Sequence, residues 1–271
     1  LVFSFNLCWA GSSDLSQKIE YQLALRNQDQ VIHLSRQLEK NQDLKSQAYF
    51  YLAKGYLLLG NEGIVEYESA LRYINKVLKE INPSDDMHFE ANLFKIQIFL
   101  EKGSYKEAIK NIQELLQSPE ISENSFKKFQ LQVEQLNLYL RISDLKSAKQ
   151  LVRAIQNPTF KSRASYRAKS YMILGKYFLN TDEIQLAEQN YNRALASYEQ
   201  SDICHKVDAW HMLAEVEKER GNIEKAMAIY NDLLDYEEKN NYQHGFIHTL
   251  LIASETSLAV NTNKWEMSQY A

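Results

Sequence analysis

The chain has little of anything that interrupts a helix: three prolines and eight glycines are spread over 271 residues. With Leu, Ala, Glu, Lys and Gln throughout, that scarcity favours helix from end to end, and no strand-like segment stands out. A strong charge of one sign is also missing. The formal net charge of −4 gives no electrostatic reason to expect nucleic acid as a partner. No run of 18 apolar residues occurs, so this stretch carries no candidate membrane helix. A Gly-rich phosphate loop, a C-x2-C pair and a G-x-S-x-G elbow are all absent, and with them the common signatures of nucleotide, zinc and hydrolase chemistry.

The first ten residues differ from the rest. Leu1, Val2, Phe3, Phe5, Leu7 and Trp9 form an apolar run that stops at Ala10-Gly11-Ser12-Ser13. This has the form of the apolar core and cleavage site of an export signal, with Cys8 and Ala10 small enough for the −3 and −1 positions. The alternative is an apolar cap on the first helix. Cleavage at Ala10 leaves Cys204 as the sole cysteine, hence no intrachain disulfide, which fits an extracytoplasmic, periplasmic location. A cytoplasmic location is the competing reading.

What the chain does contain is a period. Ala70, Ala108, Ala148, Ala187 and Ala226 recur at spacings of 38, 40, 39 and 39 residues. Self-similarity of that length marks a helical-repeat solenoid, in which each unit buries its apolar face against its neighbours. Aligned on the alanines, each unit reads as helix A, a tight turn and helix B. Trp210, Leu213, Ala214, Gly221, Ala226, Tyr230 and Leu233 carry the sharpest instance. The unit before it keeps Leu174, Gly175, Phe178, Ala187, Tyr191 and Ala194, with Asp182 at the turn. Tyr139, Ser143, Ala148, Val152 and Ile155 mark a third, and Phe99, Gly103, Ala108, Ile112 and Leu115 a fourth. Leu52, Ala53, Tyr56 and Gly60 open the first full unit, which carries five additional residues before Ala70.

The pattern has physical reasons. Small residues at Ala53, Gly175 and Ala214 let helix A approach helix B, and the repeated alanine receives that contact. Gly60, Gly103 and Gly221 permit the positive φ at which a helix ends, with Ser143 and Asp182 as poorer substitutes. Pro83, Pro119 and Pro158 fall where a helix B must stop and a new helix A begin.

These residues resemble the tetratricopeptide repeat, although Glu217 replaces the usual aromatic between the two halves of the sharpest unit. A period near 39 exceeds the roughly 34 of that repeat and predicts longer B helices or connections. The expected fold is all-α: an α-solenoid, a right-handed superhelix of about six antiparallel hairpins. Its organisation reads as a signal remnant at 1–10, a capping hairpin at 11–45 and one continuous array over 46–271. The units are 46–85, 89–120, 129–158, 168–201, 207–240 and an incomplete 245–271 in which Trp265 opens helix B. Stopping there, mid-helix, is what a fragment of a longer polypeptide would show.

The resemblance implies that A helices line a concave groove. The groove positions are Phe50, Lys54 and Leu57; Leu93, Gln97 and Leu100; Val133, Asn137 and Arg141; Met172, Lys176 and Asn180; and His211, Glu215 and Glu219. Apolar and basic groups mix along the middle and acidic ones gather at the C-terminal end, so a protein or peptide with an acidic stretch is the expected guest. The Lys and Asn spacing of the carboxylate-clamp subfamily is not reproduced. No cofactor is expected. The nearest metal candidates, His244 with His248 and Cys204 with Asp208 and His211, fall short of a convergent ligand set, and the pair Glu215 and Glu219 reads as a solvated face.

The whole resembles the extracytoplasmic sensing region of a membrane-anchored bacterial signalling protein of the diguanylate cyclase or histidine kinase type. The region itself is expected to be non-catalytic, with any output domain beyond residue 271 and membrane contact only outside this chain. A homodimer is compatible with such a role. A free-standing periplasmic assembly factor and a cytoplasmic peptide-binding regulator are the alternatives.

Overall fold

The computed structural model describes residues 14–58, 65–83, 85–156, 164–198 and 203–269. The apolar run Leu1–Ala10, the turn residue Gly60, the insertion around it and Pro158 lie outside the described residues. The described chain is helical, with no strand. Its helices are α1 (Asp14–Ala24), α2 (Gln28–Leu38), α3 (Lys45–Leu57), α4 (Tyr67–Glu80), α5 (Asp86–Lys102), α6 (Tyr105–Leu116), the short α7 (Pro119–Glu123), α8 (Ser125–Arg141), α9 (Leu145–Gln156), α10 (Ala164–Asn180), α11 (Ile184–Ser197), α12 (Ile203–Glu219), α13 (Ile223–Lys239) and α14 (Gln243–Gln269). A single 3-10 turn at Gln42–Leu44 leads into α3.

Helices α1, α3, α5, α8, α10, α12 and α14 take the A role, and the helices between them, α7 aside, take the B role. An A helix packs on the B helix before it and the one after it: α3 on α2 and α4, α5 on α4 and α6, α12 on α11 and α13. The core therefore sits between hairpins as much as inside them. One apolar cluster joins α1, α2 and α3 through Ile19, Leu23, Val31, Leu38 and Tyr51. Another joins α3, α4 and α5 through Leu52, Ala70, Ile74, Phe94 and Ile98. A third reaches from α5 through α6 and α7 to α8, and a fourth gathers Ala214, Ala226, Tyr230 and Ala253 of α12, α13 and α14. This nearest-neighbour packing is the α-solenoid architecture that the 39-residue period implies.

All five alanines of the period are fully buried. The turns between A and B helices repeat as faithfully. Gly103, Ser143, Asp182 and Gly221 each have positive φ, between 58° and 78°. In each, the following N–H reaches back five residues, from Ser104, Asp144, Glu183 and Asn222 to the carbonyls of Phe99, Tyr139, Phe178 and Glu217, all at 2.8 Å. Satisfying the last carbonyls of helix A this way closes the reversal alike in four hairpins, with or without glycine. Pro119 is the first residue of α7, where its missing N–H is harmless.

The chain divides into two compact units, Leu1–Tyr166 and Arg167–Ala271. One element departs from the sequence reading. Helix α14 runs unbroken for 27 residues, so Trp265 lies within it and opens no helix B. The segment from Ala259 to Gln269 contains neither glycine nor proline, and nothing in it ends a helix.

Candidate binding surface

A and B helices are buried differently, and that difference decides which side chains can meet a partner. Ten of the 13 residues of α3 are buried, against four of the 14 in α4. An A helix has neighbours on several sides, whereas a B helix buries a single stripe.

In the first unit most of the expected groove is closed. Phe50, Lys54, Leu57, Leu93, Gln97, Leu100, Val133 and Asn137 are all buried. They pack inside the stack instead of facing a ligand. Phe50 of α3 meets Phe94 of α5 edge-on, ring centres 5.6 Å apart. Lys54, 1% exposed, lies 3.7 Å from the Glu20 carboxylate of α1 and over the rings of Phe50 and Tyr51. Burial, with the Glu20 charge beside it, pushes the Tyr51 hydroxyl well above the usual range. Further along, both oxygens of buried Glu90 on α5 accept from the Tyr166 hydroxyl at 2.7 Å, and Gln130 of α8 donates to the same carboxylate at 3.3 Å. Sequence spacing gave no sign of this contact, because it joins residues 76 apart. Arg141 is half-buried, donating to the Leu100 carbonyl at 3.3 Å and to Glu101 at 2.5 Å.

In the second unit the same positions open. Met172 is buried, but Lys176, His211 and Glu215 are half-exposed, and Asn180 and Glu219 are exposed. Lys218 donates to both Glu215 oxygens at 2.8 and 3.0 Å. His211 Nε2 lies 2.9 Å from the Thr249 hydroxyl, which donates to Glu237 at 3.0 Å. Glu237 is fully buried, and burial pushes its carboxyl up to about 7, against the opposing effect of the Thr249 hydrogen bond. At the α12 turn, Glu217 accepts from Asn222 at 2.8 Å and Arg220 at 2.6 Å, and Arg220 also reaches Glu188 of α11 at 2.5 Å. The Asn222 hydrogen bond, then Arg220, holds the Glu217 carboxyl below the usual range.

A further surface lies on α14, where Ile247 and Leu258 are 62% and 68% exposed, with Leu250 and Leu251 between them. Here α14 packs on α12 and α13 along its other side. Among the described residues no three His, Cys, Asp or Glu side chains gather as a metal site, and no helix is long and apolar enough to cross a membrane. The side chains of Cys204 and His244 lie outside the described residues.

The sequence matches no family model and no curated protein. Solved structures do resemble the chain. A signal transduction ATPase with numerous domains and a tetratricopeptide-repeat sensor, from Pyrococcus horikoshii, aligns with a TM-score of 0.55 at 14% identity over 92% of this chain. This chain spans only 38% of that protein. BtubC from P. vanneervenii aligns with a TM-score of 0.51 at 16% identity, over 85% of this chain and 93% of its own. A thermophilic TPR protein from Thermus thermophilus aligns at 0.49 and 20% identity, over 76% of this chain and 99% of its own.

Proposed function

Starting from a tetratricopeptide-repeat fold, we propose that this chain is a non-catalytic protein-interaction scaffold. It takes a protein or peptide along the A helices of its second unit and acts as the sensing region of a larger bacterial signalling protein, exported to the periplasm. One observation carries the reading. The wall positions are sealed from Phe50 to Asn137 but half-exposed at Lys176, His211 and Glu215. Half-exposed polar groups on helices fixed by packing form a positioned recognition surface, whereas sealed ones only hold the stack together. The mixed signs of Lys176 and Glu215 suit a partner that carries both charges. The sensing role draws support from the Pyrococcus horikoshii protein, whose tetratricopeptide repeats are described as a sensor.

The test is affinity capture from native cell extract, with the wild type beside a Lys176→Glu, Glu215→Lys variant. A partner held by the wild type and lost by the variant at unchanged melting temperature is the expected result. Retention of every partner overturns the second-unit wall. An apolar span of about 20 residues encoded after Ala271 is required by the membrane-anchored version. An alkaline-phosphatase fusion that joins the gene from its start codon through residue 40 and stays inactive overturns export.

A further inference from the structure

The first unit carries a second surface, built from residues of α2, α3 and α4. At its centre lie three tyrosines. Tyr73 of α4 stacks on Tyr56 of α3, ring centres 5.5 Å apart and planes within 2°, and Tyr49 of α3 tilts against Tyr73 at 5.8 Å. Cations converge on these rings from three helices. The Arg36 and Arg72 guanidinium carbons lie 5.1 and 5.2 Å from the Tyr73 ring centre, and Lys76 Nζ lies 4.9 Å from it. Lys76 also sits 4.7 Å from the Tyr49 centre, with Lys45 Nζ 5.7 Å from the same ring.

Among the described residues only one of these cations has a carboxylate. Arg36 pairs with Glu39 at 2.9 Å and donates to the Tyr73 hydroxyl. Arg72 and Lys76, both exposed, and half-exposed Lys45 make ring contacts and no ion pair with any described residue. The nearby Glu80 accepts from Ser46 instead. An aromatic face attracts a cation but cannot cancel its charge, so cations crowded on shared rings repel one another. An anion entering between them removes that repulsion.

We infer that the Arg72, Lys76 and Lys45 surface on α3 and α4 docks an acidic segment of a partner protein, its carboxylates pairing with these cations. A nucleic acid fits less well. Tyr49 and Tyr73 are buried and one face of half-exposed Tyr56 is taken by Tyr73, so at most a single ring face is left for a base, too little for a stacking platform. The chain's formal net charge of −4 also disfavours a long polyanion. This surface shares no residue with the second-unit wall, so Lys176→Glu alters none of its side chains.

The experiment is fluorescence anisotropy of a fluorescein-labelled dodecapeptide of Glu and Asp, titrated with the full chain at about 50 mM salt, where screening is modest. Arg72→Ala with Lys76→Ala is expected to weaken binding about tenfold at unchanged melting temperature, and Arg72→Lys with Lys76→Arg to retain it. Lys149→Ala with Arg153→Ala, an equal charge loss on exposed positions of α9, is expected to change affinity by less than about twofold. Equal losses in the two alanine pairs, or no saturable binding by the wild type, overturn the inference. Tighter binding of a single-stranded RNA dodecamer than of the peptide overturns it in favour of nucleic acid.

Discussion

Gly175 of α10 lies against the ring of Tyr191 on α11 so closely that a Cβ on the glycine would stand 2.5 Å from Cε1 and 2.7 Å from Cδ1. The ring has no room to retreat, being fully buried. Gly175→Ala must push Tyr191 or the two helices apart, and overpacking of this kind costs about 1–3 kcal/mol. Gly221 is the useful contrast. It has a φ of +76° and open space where a Cβ would be, so Gly221→Ala costs only backbone strain, about 1 kcal/mol. Urea denaturation of both variants should place Gly175→Ala below Gly221→Ala; the reverse order refutes the close-approach account.

Lys54 gives a prediction of opposite sign. Its ammonium is buried without a hydrogen-bond acceptor among the described residues, 3.7 Å from Glu20, whose side chain is one-quarter exposed. Removing the lysine alone would leave the Glu20 carboxylate, whose Oε2 is buried without a hydrogen-bond partner among the described residues, uncompensated, so both partners have to be replaced. Lys54→Met together with Glu20→Met is therefore expected to stabilise the chain by about 1 kcal/mol, as apolar replacements of buried ion pairs often do. A lowered melting temperature would mean that the Glu20 contact outweighs the desolvation of Lys54.

How much of this was legible in the sequence varies with range. The five buried alanines and the left-handed turn residues Gly103, Ser143, Asp182 and Gly221 follow from repeated local rules and stand where the period places them. The groove positions did not follow. Whether Phe50 or Gln97 meets solvent depends on how tightly successive A helices approach, and spacing within one helix does not encode that. The Glu90 and Tyr166 contact lies further still from any local signal, since it joins residues 76 apart in sequence. Glu217 stands between these cases. Its departure from the repeat pattern was visible, but its use as an acceptor for Asn222 and Arg220 required the turn geometry.

That turn yields a testable pH effect. Asn222 first and Arg220 second favour the ionised form of Glu217, so its folded carboxyl titrates below the unfolded value. Such a group stabilises the fold above the ordinary carboxylate range and loses that contribution as pH falls through its depressed folded value. Arg220→Ala is expected to raise the Glu217 carboxyl in an NMR titration, with a larger rise for Asn222→Ala. An unmoved titration in both variants would show that neither hydrogen bond forms in solution.

Glu237 runs the other way. Its carboxyl is enclosed by α13 and α14, with the Thr249 hydroxyl on one oxygen, His211 on that same hydroxyl, and His248 packed edge-on against His211 at 5.2 Å. Burial lifts it from an ordinary 4.5 to about 7. Between those values the folded chain holds a proton that the unfolded chain has released, so stability declines as pH rises across the window. The decline attributable to Glu237 is on the order of 2 kcal/mol after allowance for solvent screening. Glu237→Gln keeps an acceptor for Thr249 and cannot ionise, so its stability should stay level from about pH 4.5 to 7 where the wild type weakens. Histidine side chains ordinarily titrate in this same range, so adding His211→Asn to both proteins removes the share of the neighbouring ring. Parallel stability curves with and without Glu237→Gln in the His211→Asn background would show that the carboxyl ionises normally and that water reaches it.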